Sequence, residues 1–192
     1  MPRTAGSYRS LVAPLRSPAT PTSRRHLTIA APLRTLQPLV GGPAHARETA
    51  SYRLNHTMIR VKDPKKSLDF YENVLGMDLI DQHKADDFTL YFLAYQHNPK
   101  EQRGEREAIL ELTHNHGTEN DPNFAYHNGN KEPQGFGHLA IAVDDIQAAC
   151  ERFEKLGVKF QKRLTDGKMK SIAFILDPDN YWIEVIQTTR PQ

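Results

Sequence analysis

The chain has 192 residues, 38% of them hydrophobic and 25% charged, with one cysteine and a formal net charge of +2. That size suits one domain or two small modules sharing a core. No apolar run approaches the roughly 20 residues of a membrane-spanning helix, and a lone Cys150 excludes an internal disulfide and a Cys-based zinc site.

The charge is unevenly spread. Residues 1–47 carry seven arginines, no lysine and no acidic residue, together with 7 of the 13 prolines and nine Ser or Thr. Prolines at this density interrupt any helix, so the segment is expected to be disordered. Its Arg-rich, Ser-rich, acid-free composition is that of a mitochondrial transit peptide; a basic tail without an address, leaving the protein cytoplasmic, is the alternative. The body, from Glu48 onward, holds 18 basic and 23 acidic side chains, a net of −5. It offers no phosphate-tracking basic stripe, so nucleic acid is not an expected partner.

From Leu54 the pattern becomes periodic. Residues 54–61 alternate as a half-buried strand. Asp63 and Pro64 then form a helix start, and Leu68, Tyr71, Val74 and Leu75 fall at helical spacing before Gly76 ends the run. Residues 77–81, 89–95 and 108–113 read as three more strands. The same order returns with a strand at 137–143, a helix at 146–156 stopped by Gly157, and strands at 158–163, 171–176 and 181–187. Val61, Asp63 and Gly76 lie 5, 7 and 20 residues past His56; Val143, Asp145 and Gly157 lie 5, 7 and 19 past His138. The chain is therefore an internal duplication. The expected class is α+β: two βαβββ modules, spanning 52–127 and 135–188, forming a curved eight-stranded sheet with a pocket on its concave face.

Each module opens on a strand histidine and closes on a strand glutamate: His56 with Glu111, and His138 with Glu184. Both glutamates sit in otherwise apolar strands, where a carboxylate is costly unless it is paired or metal-bound. Two imidazoles and two carboxylates form a donor set suited to Zn²⁺, Ni²⁺, Fe²⁺ or Mn²⁺. Arg60, four residues beyond His56, shares its strand face and suits a carboxylate grip. His114 and His116 fall on the face opposite Glu111 and read as structural or surface residues.

Residues 58–71, 110–115, 127–130, 135–138, 166–170 and 177–184 together resemble glyoxalase I, of the vicinal-oxygen-chelate superfamily; the resemblance covers residues 52–188. It implies a glyoxalase fold with one divalent metal held by His56, Glu111, His138 and Glu184. Zn²⁺ is favoured by an insertion between Asn98 and Glu107 and a long 114–134 connection, both similar to the longer eukaryotic forms, and Ni²⁺ by a histidine as first ligand. The implied activity is that of a lactoylglutathione lyase, which isomerises the hemithioacetal of methylglyoxal and glutathione to S-D-lactoylglutathione. Glu184 would be the principal base, Glu111 its counterpart, and Arg60, Asn115, Lys162 and Met169 the glutathione contacts. Gln134 stands where longer relatives carry a glutathione-binding arginine. The resemblance further implies a homodimer with shared active sites, an intrachain site in a monomer being the alternative. Other readings are a different enzyme of the superfamily, such as an acyl-CoA epimerase, or a non-catalytic small-molecule binding module.

Overall fold

The computed structural model describes residues 48–97 and 101–188. The expected transit segment lies outside them, as do residues 98–100 of the insertion between Asn98 and Glu107.

In strand β1 (His56–Arg60) Ile59 is buried, while His56, Met58 and Arg60 on the other face are exposed, as is Thr57 at the strand's start. Asp63 caps helix α1 (Pro64–Asp69), its Oδ1 accepting the Lys65 amide at 3.1 Å, with Pro64 in the first turn where no amide is needed. The helix then widens into a π turn, Phe70–Val74. One extra residue per turn rotates the apolar stripe. The buried set is consequently Ser67, Phe70, Tyr71 and Leu75, and the expected Leu68 and Val74 are only half-buried. Strands β2 (Asp78–Lys84), β3 (Phe88–Ala94) and β4 (Ile109–Asn115) complete a sheet of order β1-β4-β3-β2, with β1 parallel to β4 and the other pairs antiparallel.

The second half repeats this plan. Strand β5 (His138–Val143) leads into α2 (Ile146–Lys155), whose first turn is capped by Asp145 accepting the Ala148 amide at 3.0 Å. Strands β6 (Phe160–Lys162), β7 (Ile172–Leu176) and β8 (Trp182–Gln187) follow, in order β5-β8-β7-β6, again with one parallel pair. The α+β class and the two βαβββ units are as expected. The eight strands are divided, however, between two four-stranded sheets, because hydrogen bonding runs through each set of four and stops.

One hydrophobic cluster joins both halves: Ile59, Val61, Tyr71, Leu93 and Leu112 from the first with Ile146, Cys150, Phe153, Ile175, Ile183 and Val185 from the second. Full burial of each such aliphatic side chain contributes about 1.5–3 kcal/mol. Polar links cross as well. The Tyr71 hydroxyl donates to Asp177 at 2.9 Å, the Lys62 amide to Asp179 at 3.1 Å, and the Arg152 guanidinium to the carbonyls of Asn73 and Val74. With the inner faces so occupied, His56 and His138 remain on outward faces. Among the described residues, no helix is long and apolar enough to cross a membrane.

Candidate metal centre

Register brings each histidine to its glutamate. Parallel pairing of β1 with β4 sets Met58 opposite Glu111, and pairing of β5 with β8 sets Ala140 opposite Glu184. In both, the glutamate belongs to the residue two after the histidine, on the same face. His56 Nε2 lies 3.2 Å from Glu111 Oε2, and His138 Nε2 lies 3.2 Å from Glu184 Oε2. Both imidazoles are 42% exposed, whereas the carboxylates retain only 12% and 21%. An aromatic ring from the strand beyond each glutamate, cross-strand from that glutamate, meets each imidazole edge-on, Phe92 at 6.1 Å and Phe174 at 5.3 Å between centroids. The duplication is thus visible atom by atom.

The donor chemistry fits a divalent cation. Two ligands each about 2.0–2.2 Å from one ion stand roughly 3–3.5 Å apart, and both His–Glu pairs have that separation. Their opposite edges face outward. Thr113 Oγ1 donates to Glu111 Oε1 at 3.3 Å and leaves Oε2 turned toward the imidazole. Among the described residues, though, no group of three or more His, Cys, Asp or Glu converges on one point. The structure brings the four expected ligands together two by two, as half-sites, and not as a single-chain set of four on one concave face. Strand parity determines the face of each side chain within its own sheet and says nothing of how the two sheets meet.

A cleft of about 740 Å³ opens beside the half-sites, lined by His56 and His138 with Arg53, Tyr71, Tyr95 and Phe136. Neither glutamate lines it, nor do Arg60, Asn115, Lys162 and Met169, so the His–Glu pairs border this cleft rather than centre it.

The expected anchors divide in the same way. Arg60 is exposed on the His56 face, paired in register with Thr113. Asn115 ends β4 half-buried and accepts a hydrogen bond from the Tyr126 hydroxyl at 3.3 Å. Lys162 is more engaged than expected: its ammonium donates to the carbonyls of Met169 at 2.6 Å and Ile172 at 2.8 Å, holding the loop on which Met169 is exposed. Gln134 is exposed in the connection leading to His138. That connection is pinned by Asn128 donating to the Asn180 carbonyl at 2.7 Å, Asn130 to the Gly137 carbonyl at 2.7 Å, and the Gly135 amide to the Gly129 carbonyl at 3.0 Å.

His114 is buried, with Nε2 2.7 Å from Glu119 Oε2. Glu119's own backbone amide, followed by His114, holds its carboxyl below the usual value. His116 contacts the Thr89 hydroxyl at 2.9 Å. Both take structural roles away from the pairs. Two features escape sequence reading. Asn55 contacts the His56 ring, its adjacency to a strand histidine being the only signal. Asp177 is buried between the modules, where burial pushes its carboxyl up to about 7.

A family model described as the Glyoxalase/Bleomycin resistance protein/Dioxygenase superfamily matches residues 53–185. A lactoylglutathione lyase of Pseudomonas putida is 52% identical over 170 residues, covering 82% of this chain and 98% of that protein. A lactoylglutathione lyase of Schizosaccharomyces pombe is 55% identical over 141 residues, covering 72% of this chain and 46% of its own length. This chain therefore spans about half of the fission-yeast protein. Among solved structures, the trypanothione-dependent glyoxalase I of Leishmania major superposes with a TM-score of 0.57 at 32% identity, covering 71% of this chain and 87% of that one.

Proposed function

Because the chain belongs to the glyoxalase/bleomycin resistance protein/dioxygenase superfamily, we propose that it is a lactoylglutathione lyase, converting the hemithioacetal of methylglyoxal and glutathione to S-D-lactoylglutathione. The observation that carries this reading is the repeated His–Glu pair, His56 with Glu111 and His138 with Glu184, each 3.2 Å apart on the outward face of its sheet.

His56, Glu111, His138 and Glu184 would hold one divalent cation, Zn²⁺ in preference to Ni²⁺. When bound, the cation supplies Lewis-acid stabilisation for negative charge on the substrate's vicinal oxygens. The proton transfer falls to the chain's own carboxylates. Glu184 removes the proton from C1 at a side-chain oxygen, holds it, and returns it to C2, the C1 hydroxyl proton passing to the C2 oxygen in the same conversion, while Glu111 occupies the equivalent position in the other half-site. Both are mostly screened from water, which favours retention of the proton over exchange. Arg60 offers a bidentate grip for a glutathione carboxylate, Asn115 an amide beside it, and Lys162 holds the loop that presents Met169 to the thiol ligand.

Two copies of the chain would form each complete site, the first-module pair of one protomer facing the second-module pair of its partner. Exposure of both imidazoles supports this, as does the exposure of apolar Met58 and Ile186 on the same two sheets. The acid-free composition of residues 1–47 supports delivery to mitochondria, to be checked by imaging a fusion with and without that segment.

The deciding experiment strips the protein with chelator and reloads it separately with Zn²⁺, Ni²⁺, Co²⁺ or Mg²⁺. Thioester absorbance is then followed with methylglyoxal and glutathione. Activity lost on stripping and restored by a divalent ion is expected, with Zn²⁺ best. Full activity in the stripped protein, or no thioester with any ion, overturns the proposal.

A further inference from the structure

The two half-sites match in ligands and differ in what stands behind them. His56 Nδ1 is 2.8 Å from Asn55 Oδ1. The Asn55 amide nitrogen donates to the Arg103 carbonyl at 2.9 Å and to the Arg106 carbonyl at 2.9 Å. Carbonyl oxygens only accept, so these two contacts consume both amide protons and dictate which way the side chain points. Oδ1 must then face the imidazole. An oxygen that can only accept requires a proton on Nδ1, so that in the neutral ring the lone pair falls on Nε2, the nitrogen beside Glu111 Oε2. His138 has no equivalent: it is preceded by Gly137, and its Nδ1 makes no hydrogen bond among the described residues.

The anchor is itself rigid. Arg106 is buried, donating from Nε to the Glu101 carbonyl at 3.0 Å and from Nη2 to Gln96 Oε1 at 3.2 Å. Arg103 pairs with Asp81 at 2.8 Å and lays its guanidinium 4.2 Å above the Phe92 ring, the same ring that meets His56 edge-on. Backbone bonds from Ala108 to the Leu54 carbonyl and from Ile109 to the Asn55 carbonyl close the segment onto β1.

We infer that Asn55 is a positioning residue: clamped by the carbonyls of Arg103 and Arg106, it locks His56 in the Nδ1–H tautomer and so prepares the first half-site, and not the second, to take a metal ion. This rests on the reading of His56 as a metal ligand. The 101–107 segment then has a role in metal binding at a distance, through a single side chain. Partners of this kind typically change metal affinity 10- to 100-fold when removed.

The test uses the full-length protein stripped of metal. Long-range ¹H–¹⁵N correlation spectra report which imidazole nitrogen carries the proton, and Co²⁺ titration, followed by its visible absorption, reports affinity. In wild type, His56 is expected as Nδ1–H. Asn55→Ala should shift it toward Nε2–H and weaken Co²⁺ binding 10- to 100-fold. His56→Ala serves as reference. Loss of affinity in His56→Ala with wild-type affinity and tautomer in Asn55→Ala overturns the positioning role alone. Wild-type Co²⁺ affinity in His56→Ala overturns the ligand reading beneath it. Should Asn55→Ala fail to fold, the wild-type spectrum decides, since a His56 lacking the Nδ1 proton there overturns the inference.

Discussion

Asp177 offers a pH-dependent test of how the two modules are joined. It is 4% exposed. Its carboxylate accepts from the Tyr71 hydroxyl at 2.9 Å, the Asp179 amide at 2.9 Å and the Tyr181 amide at 2.8 Å. Burial outweighs these three donors and pushes the carboxyl from 3.8 up to about 7. The folded protein therefore binds this proton more tightly than the unfolded chain. Its stabilising effect is complete below about pH 4 and disappears as pH rises through 7. At about 1.4 kcal/mol per pH unit, the gap corresponds to about 4 kcal/mol. Asp177→Asn should abolish this dependence. The amide oxygen can still accept from the Tyr181 and Asp179 amides, and the amide nitrogen can donate to the Tyr71 hydroxyl. Urea unfolding of both proteins at one protein concentration, from pH 4 to 8.5, isolates the effect, because every other titrating group is common to the two. The variant should match wild type near pH 4 and exceed it by up to about 4 kcal/mol at pH 8.5. Parallel curves, or a variant less stable at pH 8.5, would refute the account of Asp177 as a carboxyl kept largely protonated by burial.

Removal of the proposed base is expected to act on turnover: Glu184→Gln should lower kcat by about 10²- to 10⁴-fold with little change in KM, measured with metal content in the same sample. Wild-type kcat at full metal loading would remove Glu184 from the proton path. Arg60→Ala, by deleting a charge-assisted contact with glutathione, should raise KM roughly 10- to 100-fold while sparing kcat; an unchanged KM takes Arg60 out of the site. Gly129→Ala should destabilise the connection that carries His138, because Gly129 has φ +84° and an added Cβ would lie 2.0 Å from the Phe136 carbonyl oxygen. A cost of about 2 kcal/mol or more follows from the left-handed backbone and the clash together, and an unaltered thermal midpoint would contradict that geometry.

What could be read in advance was whatever depends on period. Alternation at His56, Met58 and Arg60, and at His138, Ala140 and Ala142, puts each trio on one strand face in the structure as in the sequence, but that face turns outward and not into the expected concave pocket. The caps at Asp63 and Asp145 announce their helices because a short acidic side chain can satisfy an amide two or three residues on. The π turn at Phe70–Val74 has no such local signature; within it Phe70 is buried and Val74 only half-buried, while Tyr71 and Leu75 stay buried as the spacing predicts. Division into two sheets was equally hidden, since alternation says which face a residue takes and nothing about which strands pair.

The same distinction explains why the site was legible as a set of four and yet folds as two pairs. Each His–Glu pair arises within one module from a parallel strand register that the duplication copied. The relation between the pairs is tertiary or quaternary. The groups that tune the structure lie further still from any motif: Asn55 reaches carbonyls 48 and 51 residues away, and Asp177 meets a tyrosine 106 residues earlier. Gene duplication preserved the His–Glu pair in both halves. The clamp behind His56 depends on an insertion that only the first half carries, so the two halves of one symmetric donor set are held with unequal rigidity.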